Sequence, residues 1–260
     1  GQNIRLALII EYEGTDYDGF QYQENAASIQ EQIEKSIHAL TGERLRVKAA
    51  GRTDAGVHAL GQVVAFDTES KHPPETFLNA MNFHLPDDIV VKAAYRTGPA
   101  FDPRRHAISR RYRYTLVNNV TRSPTRRLTT SRIREDLETG LMSQGAILME
   151  GIHDFAKFAG PLERQGASTV REIFSASVEE NEDEVIFEVE GSAFLPHQVR
   201  RMAGALVDLG RGFLSIEQLN QMIEGVGNGV ASRSLPPQGL CLLEVKYANF
   251  PPKVGEKIGN

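Results

Sequence analysis

Residues 45–67 read LRVKAAGRTDAGVHALGQVVAFD. Leu45 to Ala50 alternates apolar and basic side chains, and Gly61 to Asp67 carries Val63-Val64-Ala65-Phe66 at its centre, so each reads as a strand. Between them, Gly51 to Ala59 has the glycines and small polar residues of a loop. A loop so placed is held at both ends. Upstream, Ile4 to Glu11 is a strand followed by the turn formers Glu13-Gly14-Thr15-Asp16-Tyr17-Asp18-Gly19. Ser28 then stands three residues before Glu31, a capping-box spacing, and Ile29, Ile33, Ile37 and Leu40 recur at helical intervals until Gly42. Downstream, Pro73-Pro74 opens a short helix to Asn82, and Ile89 to Ala93 is another strand. Strand, helix, two strands, helix, strand is the split βαβ order of ferredoxin-like folds.

The order begins again beyond Pro99 to Arg105. Tyr112, Tyr114 and Leu116 alternate with Arg111, Arg113 and Thr115 in a strand, and Glu135 to Met149 carries a helical pattern through Leu137, Leu141, Ile147 and Leu148. Val170 to Val178 and Glu184 to Glu190 are strands about an acidic turn, Pro196 to Leu209 and Ser215 to Glu224 are helices, and Gly239 to Tyr247 is a last strand. No short period repeats, which excludes solenoids. The expectation is an α+β fold: two similar ferredoxin-like, RRM-like halves, residues 1–104 and 105–250, forming a mostly antiparallel mixed sheet flanked by helices, with a central active-site cleft. Residues 251–260 read as a flexible tail.

The chain's 260 residues suit one large or two modest domains, and 40% hydrophobic with 24% charged residues exclude collagen-like, disordered and disulfide-scaffold classes. No run approaches the roughly 18 to 20 apolar residues that span a bilayer. Glu11, Glu13, Asp16 and Asp18 stand where a signal peptide would be basic and then apolar, so the expected compartment is the cytoplasm, with no membrane partner. The only cysteine, Cys241, sits in an apolar run and reads as a core residue, which leaves no disulfide and no cysteine-based zinc site. The seven histidines show no HExxH-like spacing, so no metal is expected.

The net charge of −5 conceals a segregation of charge. Arg104 to Arg134 holds ten arginines and no Asp, Glu or Lys, leaving 19 basic against 34 acidic residues elsewhere. Phosphate binding follows local potential rather than the sum, so this segment marks a nucleic-acid partner; arginines paired with acids on a solvated surface are the competing reading.

Within the central loop, Gly51 and Gly56 permit a tight turn that presents Arg52 and Asp54. A carboxylate beside a guanidinium suits catalysis, and the same pair equally suits bracing a turn. No Lys follows the second glycine, so the loop is not a Walker loop.

Ala49-Ala50-Gly51-Arg52-Thr53-Asp54-Ala55-Gly56-Val57-His58-Ala59 resembles the catalytic loop of the TruA family of tRNA pseudouridine synthases. Further blocks resemble the same family: Glu11 to Gln21, Ser28-Ile29-Gln30-Glu31, Arg110-Arg111-Tyr112-Arg113-Tyr114, Gly151 to Phe155, Ser192 to Arg200, and Pro237-Gln238-Gly239-Leu240. They run in family order through both halves. The chain departs from the family pattern at Phe20, where many relatives have tryptophan, at Pro196, and at Gln238, a place often held by histidine.

The resemblance implies that Asp54 is the catalytic aspartate, Arg52 its neighbour in the active-site loop, Arg200 the salt-bridge partner of the aspartate, and Tyr112 the aromatic that stacks on the target base. It places Leu240 as apolar packing near the base. Arg110, Arg111 and Arg126, from the basic segment, are the expected tRNA contacts. The implied substrate is uridine at positions 38, 39 and 40 of the tRNA anticodon arm, the implied assembly a homodimer, and no cofactor is required. A non-catalytic tRNA-binding protein and a synthase with a different RNA target are the competing readings. An enzyme of small phosphorylated metabolites would need the glycines to precede a helix, whereas Val57 to Phe66 reads as a strand.

Overall fold

Leu6, Leu8, Ile10 and Tyr12 recur at every second residue, and each is at most 2% exposed, the signature of a strand with one buried face. They lie on β1 (Ile4–Tyr12) of a computed structural model that describes residues 2–227 and 233–253. The chain forms two units, Gly1–Ile108 with Leu242–Asn260, and Ser109–Cys241.

In the first unit β1 is followed by α1 (Ile29–Thr41), β2 (Lys48–Ala49), β3 (His58–Thr68), α2 (Pro74–His84) and β4 (Ile89–Thr97). Helix α1 begins where Ser28 Oγ accepts the Glu31 N–H at 3.1 Å and stops at Gly42, whose φ of 75° lies in the left-handed region. The strand order is β4-β1-β3, with β2 also on β3 and every neighbour antiparallel. Because β3 lies between β1 and β2, the expected split βαβ arrangement is present. Ile29, Ile33 and Ile37 of α1 and Phe77 and Met81 of α2 are at most 1% exposed. Burying each such side chain contributes at most about 1.5–3 kcal/mol.

The strand expected over Leu45 to Ala50 shrinks to Lys48–Ala49. Its first half is captured by α1: the Glu34 carboxylate accepts the Val47 N–H at 2.9 Å and the Arg46 guanidinium at 2.7 Å. These bonds take backbone that would otherwise join the ladder.

The second unit runs β5 (Ser109–Asn118), β6 (Ser131–Ile133), α3 (Thr139–Leu148), β7 (Gly151–Asp154), β8 (Val170–Asn181), β9 (Glu184–Gly191), α4 (Gln198–Arg211) and α5 (Ile216–Ile223). Its strand order is β5-β9-β8-β7, with the short β6 parallel to β5. Here β9 separates β5 from β8 as β3 separates β1 from β2. Val199, Met202, Ala203 and Leu206 of α4 are each at most 4% exposed, and Ala205, Val207 and Leu209 on its other faces are buried as well. Helices α3 and α4 pack closely, since a Cβ on Gly145 would meet the Leu209 side chain at 2.6 Å.

Strands β6 and β7 are three and four residues long, too short to carry a readable period. Helix α4 starts at Gln198 instead of Pro196 because His197 has φ 63°, outside helical geometry. Helix α3 starts at Thr139 instead of Glu135, as the Glu138 N–H is taken by Gly210 O. The last strand, β10 (Leu240–Lys246), is divided: Leu240 and Cys241 lie with the second unit, and Leu242 onward with the first, on β3. The expected second half, residues 105–250, therefore gives up its last stretch to the first unit. Cys241 is buried, as expected of a core residue. Most of the expected tail, residues 254–260, lies outside the described residues. Among the described residues no helix is long and apolar enough to cross a membrane.

At the turn between β8 and β9, Arg126 grips Asp183 with both arms, at 2.8 and 2.9 Å, and reaches Glu184 at 3.5 Å. The guanidinium, helped by the Asn119 amide, holds the Asp183 carboxyl down at about 2. A carboxyl depressed in the folded state contributes stability above its unfolded pKa, and that contribution disappears as pH falls through the folded value. Asp183 should therefore titrate at about 2 in a carboxyl-detected NMR titration, and in Arg126→Gln its midpoint should rise toward the ordinary carboxylate range. An unmoved midpoint would remove Arg126 as the cause.

Candidate active site

The loop joining β2 to β3 carries Arg52, which is exposed, and Asp54, which is half-buried. Within the loop the Val57 N–H donates to Asp54 O at 3.1 Å, and Gly56 takes φ 80°. Further bonds come from residues 12–20, at the end of β1 and in the connection that follows it.

Four contacts clamp the loop along its length. Tyr12 Oη and Thr53 Oγ1 are 2.7 Å apart, the Phe20 N–H donates to Thr53 O at 3.1 Å, and the Gly56 N–H donates to Tyr17 O at 3.2 Å. At the exit, His58 Nδ1 accepts the Gly14 N–H at 2.9 Å, which puts the proton of the neutral ring on Nε2. Two glycines allow this approach. A Cβ at Gly14 would lie 2.0 Å from Val57 O, and one at Gly19, which has φ 95°, would lie 2.9 Å from Thr53 O. Tyr17 is tied down in turn, because its hydroxyl donates to Asp88 Oδ1 at 2.7 Å. Burial first, and then Asp88, push that phenol well above its usual range. The loop is therefore preorganised, with Asp54 opening the turn that Val57 closes, between Thr53 and Gly56, whose backbone atoms are fixed.

In the second unit, Arg110, Arg111 and Tyr112 occupy successive positions of β5, opposite Gly191, Glu190 and Val189 of β9. The Arg110 guanidinium donates to Ser192 O at 2.8 Å, and Arg111 pairs with Glu188 at 3.5 Å. Tyr112 is half-buried, with its ring edge-on to Phe194 at a centroid separation of 5.2 Å. Tyr114, two residues on, is fully buried and its hydroxyl donates to Pro236 O at 2.6 Å, so it is a packing residue.

Arg200 stands in the first turn of α4, where its Nε donates to Leu235 O at 2.8 Å and its carbonyl accepts the Leu235 N–H at 3.1 Å. Together Arg200 and Tyr114 anchor Leu235-Pro236, ahead of the tight turn Pro237–Gly239 that leads to Leu240, which is 6% exposed. A Cβ at Gly239 would lie 2.5 Å from the Tyr114 ring. Arg200, Leu235 to Leu240 and Tyr114 of β5 thus form one neighbourhood, and Arg110 and Tyr112 sit together against Ser192 and Phe194. Arg126 belongs to neither, since its fork is committed to Asp183 at the β8–β9 turn.

Sequence reasoning missed three side chains that shape these neighbourhoods. Tyr12 and Phe194 lie inside the family motifs without a role of their own. Gln62, fully buried on β3, is legible only as an amide interrupting the run that continues as Val63-Val64-Ala65-Phe66. Among the described residues no group of three or more His, Cys, Asp or Glu could hold a metal ion.

A family model described as tRNA pseudouridine synthase matches residues 8–104 and 146–248, leaving all of the arginine-rich stretch but Arg104 outside the match. The chain is 42% identical over 242 residues to the tRNA pseudouridine synthase A of Geotalea daltonii, covering 93% of this chain and 99% of the relative. The protein of that name from Myxococcus xanthus is 43% identical over 249 residues, covering 95% and 94% of the two chains. That from Acetivibrio thermocellus is 40% identical over 242 residues, covering 93% and 99%. Since the match takes in both the clamped Asp54 loop and the Arg200 helix, and extends over nearly the whole chain, the protein belongs to the family of tRNA pseudouridine synthases.

Proposed function

We propose that this tRNA pseudouridine synthase isomerises uridines at positions 38, 39 and 40 of the anticodon arm, with Asp54 as its catalytic carboxylate. The observation that carries the reading is the clamped loop. A half-buried aspartate in a loop held by bonds to Thr53, Gly56 and His58 is positioned at a cost in backbone freedom that a surface turn does not require.

The reaction breaks the N1–C1′ bond, turns the base over and forms a C5–C1′ bond, after which C5 loses its proton and N1 gains one. It is neither a redox reaction nor a hydrolysis. A carboxylate serves it either as a nucleophile toward base or sugar or as a base toward a sugar proton. Arg200 is, as the family resemblance assigns it, the salt-bridge partner of that carboxylate. Arg52 is the exposed cation of the same loop, suited to a phosphate near the target nucleotide.

Tyr112 supplies a face for the extruded base, braced by Phe194, and Leu240 supplies apolar packing. Arg110 and Arg111 are the backbone contacts to tRNA in this reading, and Arg126, already neutralised by Asp183, braces the unit. The enzyme acts as a homodimer in the cytoplasm and needs no organic cofactor or metal.

Asp54→Asn should abolish tritium release from a tRNA transcript carrying 5-tritiated uridine while leaving tRNA affinity within a few fold. Release by the variant at the wild-type rate removes Asp54 from its role, and release mapped away from positions 38 to 40 replaces the substrate assignment. Arg110→Glu with Arg111→Glu should weaken tRNA binding and flatten its salt dependence by about 0.7–0.9 in log–log slope for each phosphate no longer engaged. Arg126→Gln should leave that slope unchanged; the reverse pattern would exchange the two roles.

A further inference from the structure

Three polar side chains are buried side by side in the first unit: Gln62 at 0% exposure, Tyr12 at 2% and Thr53 at 7%. Gln62 Nε2 donates to Gly51 O at 2.8 Å and makes a longer contact of 3.4 Å with Tyr12 Oη. Gln62 Oε1 accepts the Val63 N–H at 3.2 Å, and Tyr12 Oη lies 2.7 Å from Thr53 Oγ1. One end of this chain grips the Gly51 carbonyl and the other the Thr53 hydroxyl, on either side of Arg52, and the next residue is Asp54.

The strands are shaped to make this possible. Along β1 and β3 the register runs Ile10↔Gln62 and then Tyr12↔Ala59, so β3 carries one extra residue between the two pairs. Such a bulge redirects side chains locally and is common beside active sites. It leaves the Gln62 amide and the Tyr12 phenol on the buried face of the sheet, next to the loop. Packing alone does not call for these groups, since the neighbouring positions Val63, Val64, Ile10 and Leu8 are apolar and as deeply buried. A buried amide or hydroxyl is tolerated only when it is paired, so the network imposes a demand on geometry that an apolar core would not.

We infer that Gln62 and Tyr12 are positioning residues that act through Gly51 and Thr53 to hold the Asp54 carboxylate in its reactive orientation. The inference rests on the reading of Asp54 as the catalytic carboxylate. Neither residue touches the substrate. Their effect falls on the chemical step and not on tRNA binding, because misplacing a reacting group by about 1 Å can lower a rate by about 100-fold without altering remote contacts.

The test is a double-mutant cycle on single-turnover tritium release with Tyr12→Phe, Thr53→Val and the double variant, each accompanied by tRNA affinity and melting temperature. Both single variants should be slower by about 10- to 100-fold with affinity within a few fold, and the double variant should be no slower than the slower single one. Thr53→Ser, which keeps the hydroxyl, should recover most of the rate. If Tyr12→Phe does not fold, the contrast between Thr53→Ser and Thr53→Val carries the same test. Wild-type rates in the single variants, rate decreases that multiply in the double variant, or decreases that follow tRNA affinity overturn the inference. Asp54→Asn measured alongside separates two failures. An active Asp54→Asn overturns both readings, whereas an inactive Asp54→Asn beside fully active Tyr12→Phe and Thr53→Val overturns the positioning role alone.

Discussion

Backbone lies on backbone where residues 14–19 meet residues 53–57, and the candidate site depends on that approach. Val57 O would be 2.0 Å from a Cβ at Gly14, and Thr53 O 2.9 Å from one at Gly19, so no side chain can stand between the two segments. With no side chain in the way, main-chain bonds from Phe20 and Gly56 and the His58 ring close across the gap. Bonds with Tyr12, Gly14, Tyr17 and Phe20 hold the loop from outside it, on both sides of Asp54. The strands serve this geometry: β1 delivers the 12–20 segment, β3 receives the end of the loop, and the long antiparallel ladder between them fixes their separation.

The second unit uses the same logic with a different anchor. Tyr114 and Arg200 hold Leu235 and Pro236 through the phenol, one guanidinium nitrogen and the main chain of Arg200. Desolvation raises the Tyr114 pKa, so its proton stays in place as a permanent donor to Pro236 O. The alternation of Tyr and Arg along β5 thus separates two kinds of work: Tyr114 is consumed by packing, while Tyr112 keeps a partly open ring against Phe194.

Charge in this protein is arranged by neighbourhood. Arg104, Arg105, Arg122, Arg127, Arg132 and Arg134 are exposed, whereas Arg126 is absorbed by Asp183. Both readings of the arginine-rich segment therefore describe part of it: some members offer charge at the surface and at least one neutralises an acid of its own unit. A chain with an overall charge of −5 can in this way still present cations to a polyanion.

Periodicity and turn residues were enough to place the split βαβ order, α1 with its Ser28 cap, and the loop that carries Arg52 and Asp54, because each depends on contacts within a few residues. The motif blocks were enough to identify the family. What local pattern could not reach were features made by residues distant in sequence: Glu34 withdrawing Val47 from β2, the division of β10 between units, Arg126 choosing Asp183, and the bonds of Gln62 to Gly51 and of Tyr12 to Thr53 beside a bulge. Sequence by itself determined which side chains are available for chemistry and which elements bear them. Only the tertiary structure decided which of those side chains are held and by what, since hydrogen bonds across 41 residues, as between Tyr12 and Thr53, form only once the sheet has set the distance.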